Sequence, residues 1–277
     1  MNSGARPEES RLQPAAPARF VIAVGSGKGG VGKSTVSLNL ALALAERGAP
    51  VGLFDADFYG PNIPRMVGLT RTEWSSDWTV ARRGKQATMT PIKRYGLQIM
   101  SAGFLLGEDQ PMAVDALTMH LLLRQLVRDV AWDGLKYLLI DLPPGTADLQ
   151  QHMLRDLVLS GAILVVTPQE VAHLDARKAL RQYRQAHVPI LGGIENMSSF
   201  LCPHCGESSE LFAPVPSSRS IWEMGVERLG AIPWDAAICR AGDTGRPLLI
   251  AEPESPQATA FRQMAALLAE RLESAGN

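Results

Sequence analysis

The sequence has few of the features that mark several large protein classes. It contains three cysteines in 277 residues, and an odd number in a chain of this length does not form a disulfide framework. The net charge is −1, so bulk electrostatics do not favour nucleic acid or an anionic membrane. No apolar run approaches the ~20 residues that a membrane-spanning helix needs. These absences predict a cytoplasmic protein with no nucleic acid and no membrane among its partners.

Signals for export are also missing. Residues 1–18 lack the apolar core of a signal peptide, and Glu8 and Glu9 argue against a transit peptide. Their content of Pro, Ala, Ser and charged residues predicts a disordered tail over 1–18. The whole chain is 46% hydrophobic and 20% charged, which is typical of a globular protein. We therefore expect a single domain over 19–277.

The most informative stretch is a glycine-rich loop at 25–35. An apolar, β-branched run precedes it and an Ala- and Leu-rich run follows it, which predicts strand, loop and helix in that order. Gly, four residues and Gly-Lys-Ser form the phosphate-loop pattern, whose glycines let backbone N–H groups approach phosphate oxygens. The alternative is a glycine-rich turn without a ligand. The predicted ATP-binding residues of the loop are Gly27, Lys28, Gly29, Gly30, Val31, Gly32, Lys33, Ser34 and Thr35.

Two side chains of the loop and two carboxylates have roles that follow from their chemistry. Lys33 is a catalytic candidate because it would neutralise the β- and γ-phosphates, and the Ser34 hydroxyl would ligate Mg²⁺. Asp57 and Asp141 lie at the ends of apolar runs, where open α/β sheets bind their ligands. We expect Asp141 to hold the Mg²⁺ shell and Asp57 to act in catalysis, by positioning water or binding Mg²⁺ through water. The alternative for Asp57 and for Asp55 is a cap on the next segment.

A Cys-x-x-Cys pair lies further along, at Cys202 and Cys205. Two thiolates at this spacing suit a soft metal in tetrahedral geometry, but they supply only two ligands. Cys239 stands alone, and we expect it to be a small buried hydrophobic residue. A four-cysteine site therefore needs two chains related by a two-fold axis. A zinc site shared across a dimer, a redox dithiol and a pair of idle thiols remain alternatives.

The segment Lys-Gly-Gly-Val-Gly-Lys-Ser-Thr at 28–35 resembles the deviant Walker A motif of the MinD, ParA and nitrogenase iron-protein class. The resemblance implies a nucleotide-dependent dimer in which Lys28 acts in trans on the partner's nucleotide; the alternative is a solvated charge. Asp57 matches the switch I aspartate of this class. Asn196 matches the residue that contacts adenine, and its amide can pair with a purine edge, although it could instead cap a turn.

Three further segments resemble the Mrp/ApbC family of iron–sulfur cluster carriers. The family implies ATP and a [4Fe–4S] cluster as ligands, a homodimer, cluster assembly machinery as donor and apo iron–sulfur proteins as recipients. It often carries Trp-Arg-Gly-Pro where this sequence has Val-Asp-Ala-Leu at 114–117, so cluster transfer or nucleotide coupling can differ here. The matching segments are 55–62 (Asp-Ala-Asp-Phe-Tyr-Gly-Pro-Asn), 141–146 (Asp-Leu-Pro-Pro-Gly-Thr) and 196–206, which holds Asn-Met-Ser and Cys-Pro-His-Cys-Gly.

These patterns predict a doubly wound α/β domain with a mostly parallel sheet, the P-loop NTPase fold. They favour a slow ATP hydrolase that carries an iron–sulfur cluster. One alternative is a positioning ATPase of the MinD/ParA kind, which has no use for the cysteine pair, and the other is a zinc-bridged dimeric ATPase. The remaining predicted elements are a hairpin within 70–96, strands at 96–101, 162–167 and 188–195, and helices at 116–130, 172–185, 218–225 and 257–272.

Overall fold

The computed structural model describes residues 17–69, 80–83, 86–105, 118, 121–122, 125–126, 129–145, 150–151, 153–154, 157–202 and 204–275. The strands in these ranges are β1 (Phe20–Ser26), β2 (Val51–Asp55), β3 (Val80–Arg83), β4 (Gln86–Met89), β5 (Ile92–Arg94), β6 (Leu97–Ser101), β7 (Tyr137–Asp141), β8 (Gly161–Val166), β9 (Ile190–Leu201), β10 (Ser208–Ser209) and β11 (Arg228–Trp234). The helices are α1 (Lys33–Glu46), α2 (Ile63–Met66), α3 (Glu170–Gln185), α4 (Ala236–Asp243), α5 (Leu248–Ala251) and α6 (Pro256–Ala275).

A mostly parallel sheet forms the centre of the molecule. Its strand order is β10-β9-β8-β1-β7-β2-β6-β5, and β11 also pairs with β9. The pairs from β9 through β8, β1, β7 and β2 to β6 are all parallel, as is β11 with β9. Strands β5 and β10 run antiparallel to their neighbours at the two edges. This arrangement confirms the predicted doubly wound fold.

The central strands form because their sequences are apolar on both faces. Every residue of β1, β2, β7 and β8 is buried, as expected for strands of a parallel sheet that helices cover on both sides. Helix α1 packs between the sheet and α6, so its residues 36–44 are all buried. The chain thus places the glycine-rich loop between a rigid strand and a rigid helix.

The strand register brings the predicted site residues to one edge of the sheet. Val24 of β1 and Asp55 of β2 are both paired with Asp141 of β7. The three strands therefore end at the same level. The glycine-rich loop, the segment after β2 and the segment after β7 all leave the sheet at this edge, where ligands bind in open α/β folds.

Several predicted elements differ from the structure. Strand β9 continues to Leu201 instead of ending at 195. The predicted helix at 218–225 is wrong: the segment forms two short 3₁₀ turns, Ser217–Arg219 and Trp222–Met224. The 70–96 excursion contains the β3–β4 hairpin as predicted, and also β5, which was not predicted. Most of the predicted helix at 116–130 lies outside the described residues.

Among the described residues, no helix is both long and apolar enough to cross a membrane.

Candidate functional site

The candidate nucleotide site is centred on the carboxylate of Asp141. Lys33 Nζ lies 2.9 Å from Asp141 Oδ1, and this ion pair is buried. The hydroxyls of Ser34 and Ser37 donate to the same carboxylate at 2.6 and 2.7 Å. Ser37 was not predicted, although it lies one helical turn after Lys33 and therefore on the same face of α1. The oxygen donors of Ser34 and Asp141 lie side by side, and Mg²⁺ prefers such oxygen ligands, so the residues fit this cation.

The loop itself is shaped for close approach of its backbone. Gly32 has a φ of 82°, and a Cβ at this position would lie 2.2 Å from the side-chain nitrogen of Asn196. At Gly27 a Cβ would lie 2.2 Å from the backbone nitrogen of Ala176 in α3. Helix α1 begins after Gly32 with no side-chain cap and no acidic residue in its first turn. Its N-terminal N–H groups therefore favour an anion such as a phosphate.

Two further carboxylates border this site after β2. Asp55 is fully buried and accepts hydrogen bonds from Ser101 Oγ at 2.9 Å and from the backbone of Ile63 at 3.2 Å. Burial, together with the negative charge of Asp141, raises the pKa of Asp55 to about 8. Ser101 was also missed by the sequence analysis; it ends β6, the strand that lies beside β2.

Asp57 lies two residues after Asp55, in the turn that follows β2. Its Oδ1 accepts the backbone N–H groups of Tyr59 and Gly60, each at 3.2 Å. The side chain therefore caps this turn, which was one of the two predicted roles. Burial raises the pKa of Asp57, and the positive charge of Lys33 opposes that shift. A carboxylate beside the phosphate loop whose proton affinity is raised in this way suits proton transfer or the orientation of water.

The cysteine pair lies at the tip of a hairpin. Strands β9 and β10 pair antiparallel, with Leu201 opposite Ser208, and the loop between them contains Cys202 and Cys205. The Cys202 backbone N–H donates to Glu207 O, and the Gly206 N–H donates to Cys202 O, both at 2.9 Å. Gly206 has a φ of 71°, which favours glycine at this turn.

The two thiols of this hairpin are accessible, and the surroundings of Cys202 favour its thiolate. Cys202 is half-buried, Cys205 is exposed, and all three cysteines of the chain are free. The backbone N–H groups of Cys205 and His204 approach the Cys202 sulfur and lower the pKa of this thiol. His204 between the cysteines is exposed. A thiolate is the form that binds a metal ion.

Comparison with known proteins identifies the family. Residues 18–269 match the ParA family model described as the NUBPL iron-transfer P-loop NTPase. The chain belongs to this family. The iron-sulfur cluster carrier protein of Pseudomonas fragi is 38% identical over 257 residues, which cover 93% of this chain and 88% of that protein.

Solved structures agree with this assignment. A nucleotide-binding protein from Archaeoglobus fulgidus in complex with ADP is 36% identical, with a TM-score of 0.72 over 88% of this chain and 93% of its own. The cell division ATPase MinD of Pyrococcus furiosus has a TM-score of 0.64 at 24% identity, covering 91% of this chain and 99% of its own. The second likeness shows the fold alone.

In this P-loop NTPase, Lys28 contacts its own chain. Its Nζ lies 3.0 Å from Oε1 of Gln169, the residue that precedes α3. Gln169 was not predicted, because nothing in its local sequence points to the loop. The contact connects the phosphate loop to the start of α3, and it occupies the side chain for which the resemblance implies a role in trans.

Asn196 also contacts the phosphate loop. Its Nδ2 donates to the carbonyl oxygen of Val31 at 2.9 Å, and the residue is buried. It belongs to strand β9 and not to a turn, so the predicted alternative of a turn cap is wrong. The loop glycine at 32 leaves the space that the amide occupies.

The prediction for Cys239 is wrong, because this residue is exposed. The buried positions of α4 are Ala237, Ala241 and Gly242, and Cys239 lies on the opposite face of the helix. Among the described residues, no group of three or more His, Cys, Asp or Glu side chains is arranged to hold a metal ion. The hairpin pair thus has no further ligand in the described part of its own chain.

Proposed function

We propose that this chain is an ATP-dependent carrier that assembles a [4Fe–4S] cluster between two copies of itself and passes it to apo-proteins. The observation that carries this proposal is the exposed hairpin with Cys202 and Cys205, in a family of iron-transfer NTPases. A [4Fe–4S] cluster takes four cysteine thiolates, and each chain offers two at the hairpin. A two-fold axis through the cluster completes the site. The name of the Pseudomonas fragi relative, a cluster carrier, supports this function.

The nucleotide in this proposal is ATP, bound by the phosphate loop. Lys33 leaves its ion pair with Asp141 and faces the β- and γ-phosphates, as the chemistry of such loops requires. Ser34 and Asp141 would hold Mg²⁺, which supplies positive charge against the phosphates. Asp57 orients the attacking water. The ADP in the Archaeoglobus fulgidus structure supports the choice of nucleotide.

The dimer in this proposal also explains why the phosphate loop contains a second lysine, Lys28. Its side chain leaves Gln169 and reaches the nucleotide of the partner, so that each site is complete only in the dimer. Asn196 borders the nucleotide where an adenine contact is expected. A change of nucleotide state then changes the arrangement of the two chains, and this changes the affinity of the dimer for the cluster. ATP turnover in such a switch is slow. We propose that residues 19–277 form the single domain that does this work.

Cluster transfer in this proposal is a ligand exchange without redox change. For each iron, the bond to a carrier cysteine breaks as a bond to a cysteine of the recipient forms. The proton of the incoming thiol moves to the leaving thiolate, so charge and electrons balance. Loading from the assembly machinery is the same exchange in reverse. A lowered thiol pKa at Cys202 favours the bound state by favouring the thiolate.

Anaerobic reconstitution with ferrous iron and sulfide tests this function. We expect the wild-type chain to gain cluster absorption, and Cys202→Ala and Cys205→Ala each to abolish it. Cys239→Ala is the matched control, because it removes an exposed thiol outside the hairpin and should leave the cluster intact. A cluster that survives in Cys202→Ala would contradict the site. Zinc at one ion per dimer without uptake of iron would support the zinc-bridged alternative.

A further inference from the structure

One strand connects the nucleotide loop to the cysteine hairpin. Strand β9 contains Asn196, which contacts the loop, and it ends at Leu201, immediately before Cys202. Asn196 and Cys202 are six residues apart, which is at most about 20 Å in a regular strand at ~3.3 Å per residue. No loop interrupts this span. A shift of β9 at Asn196 is therefore carried along a strand to the first cysteine.

The contact at the nucleotide end is buried and tightly fitted. Asn196 Nδ2 donates to Val31 O at 2.9 Å, and only the absence of a Cβ at Gly32 makes room for the amide. Val31 and Gly32 directly precede Lys33, the residue that faces the phosphates. A phosphate that draws this backbone toward itself also moves or releases the carbonyl that Asn196 holds. Asn196 is thus placed to respond to the occupancy of the loop.

The middle of the span is a bulge with a left-handed residue. Asn196 is paired with Ile232 of β11, and Phe200 with Trp234, so β9 advances from 196 to 200 while β11 advances from 232 to 234. The extra residues form a bulge, which bends and twists a strand. Met197 within it has a φ of 56°, a conformation that residues other than glycine rarely adopt.

The bulge also separates two differently supported parts of β9. Strand β8 is paired with β9 as far as Glu195, so the part before the bulge has neighbours on both sides. Beyond the bulge, Phe200 packs against Trp234 with their ring centroids 5.7 Å apart. Phe200 is also paired with Ser209 of β10 and with Trp234, the last residue of β11, so beyond the bulge β9 has lost only its contact with β8. The hairpin can therefore shift relative to β8 together with the end of β11.

We propose that Asn196 and the Met197 bulge link nucleotide occupancy to the position of the hairpin that holds Cys202 and Cys205. Asn196 acts as a positioning residue: it follows the Val31 carbonyl, and the bulge converts this shift into a rotation of the hairpin. The inference extends the proposed carrier function, and it rests on that function because the link serves to load or release the cluster. Its test needs no cluster, so the two ideas can fail separately.

The test measures how fast iodoacetamide alkylates the hairpin thiols in the cluster-free protein, with and without Mg-ATP. All proteins carry Cys239→Ala, so that the label reports on the hairpin. In this parent we expect saturating Mg-ATP to change the alkylation rate several-fold. Met197→Gly replaces the left-handed residue by a flexible joint, and it should keep the nucleotide affinity but lose the change in rate.

Two further variants sharpen the result. His187→Gly is the matched control: His187 is exposed and also has a φ of 56°, but it lies outside the path, so this variant should respond as the parent does. Asn196→Asp removes the donor to Val31 O and should lose the response at a Mg-ATP concentration that saturates this variant. A wild-type response in Met197→Gly or Asn196→Asp would overturn the proposal, and so would a parent without any response.

If reconstitution yields no cluster but the thiol rates follow the nucleotide as expected, the link stands and the carrier function fails. If the cluster forms but the rates ignore the nucleotide, the carrier function stands and the link fails. The thiol assay and the reconstitution therefore separate the two ideas.

Discussion

At the scale of single residues, the proposed role of Lys33 in nucleotide binding can be tested through its ion pair with Asp141. The carboxylate is fully buried and its charged partner is Lys33, at 2.9 Å. Lys33→Ala removes the cation that is proposed to face the phosphates and leaves the Asp141 carboxylate without a charged partner. A charged hydrogen bond contributes about 1.5–3 kcal/mol, so we expect Mg-ATP affinity to fall about tenfold to a hundredfold. Isothermal calorimetry measures this loss.

The matched control for this variant is Lys178→Ala. Lys178 also pairs with an aspartate, Asp175, but its side chain is 65% exposed. An exposed pair contributes little, so Mg-ATP affinity should stay at the wild-type value. Equal affinity in Lys33→Ala and Lys178→Ala would show that Lys33 does not face the phosphates.

Asp57 is predicted to act in turnover more than in binding. Asp57→Asn keeps an oxygen that accepts the Tyr59 and Gly60 N–H groups, so the turn should persist while the carboxylate charge is lost. We expect ATP to bind and the hydrolysis rate to fall by about 10²-fold, the usual contribution of a positioned base. Steady-state phosphate release is the measurement. A wild-type rate in this variant would exclude the role.

The pH dependence of hydrolysis tests the same residue. Burial raises the pKa of Asp57, so protonation removes the carboxylate at a higher pH than for an ordinary aspartate. The wild-type rate should therefore fall as the pH is lowered toward that raised pKa. In Asp57→Asn this acidic limb should be absent from the residual rate.

At the scale of elements, the contact of α3 with the 217–224 segment predicts how stability depends on pH. His173 of α3 is buried, its Nδ1 accepts the Ile221 N–H, and it lies edge-on to Trp222. Burial, together with the positive charge of Arg228, lowers the pKa of His173 to about 4. The unfolded chain, with an ordinary histidine pKa of ~6.5, then binds the proton more readily than the fold.

The direction in which pH changes the folding stability follows from this difference in the pKa of His173. Stability from neutral His173 is fully present above the unfolded pKa of ~6.5 and is lost as the pH falls toward about 4. His173→Gln keeps an acceptor for Ile221 without titrating, so its urea midpoint should fall less over this range. Identical pH profiles for the wild type and His173→Gln would contradict this account.

Strand β9 shows why some elements could be predicted from the sequence and others could not. The apolar runs of β1, β7 and β8 are buried on both faces, so their hydrophobicity alone predicts them. Residues 196–201 of β9 include Asn, Met and two Ser and show no such run. They become a strand because β11 pairs with Asn196 and Phe200, and β10 pairs with Phe200 and Leu201. The composition of this segment does not reveal these pairings.

The helix predicted at 218–225 failed for a related reason. The predicted segment contains the apolar residues Ile221 and Met224, but Ser220 adopts an extended conformation and Gly225 a left-handed one. Side chains from α3 instead hold the segment through its backbone: Arg177 donates to Ser218 O, and His173 accepts the Ile221 N–H. Contacts from a distant part of the chain decided the local structure.

At the scale of the whole molecule, the sequence predicted the fold and the family from the conjunction of motifs. The strand register then brought the phosphate loop and its carboxylates to one edge, as a parallel sheet requires. Ser101 and Gln169 were missed because they reach the site only through packing, whereas Ser37 was missed although its place on α1, one turn after Lys33, puts it on the same face. The exposure of the cysteine hairpin also depends on tertiary structure, and it is what makes a site shared by two chains sterically possible.

The central claim is that one cluster is shared by two chains, and native mass spectrometry of the reconstituted protein tests it most directly. The account predicts a dimer that carries four irons and four sulfides, and apo monomers after acid protonates the thiolates. Because Cys202 and Cys205 of each chain supply half of the ligands, the Cys202→Ala variant should yield no iron-loaded dimer. A monomer that holds a full four-iron cluster would contradict the account.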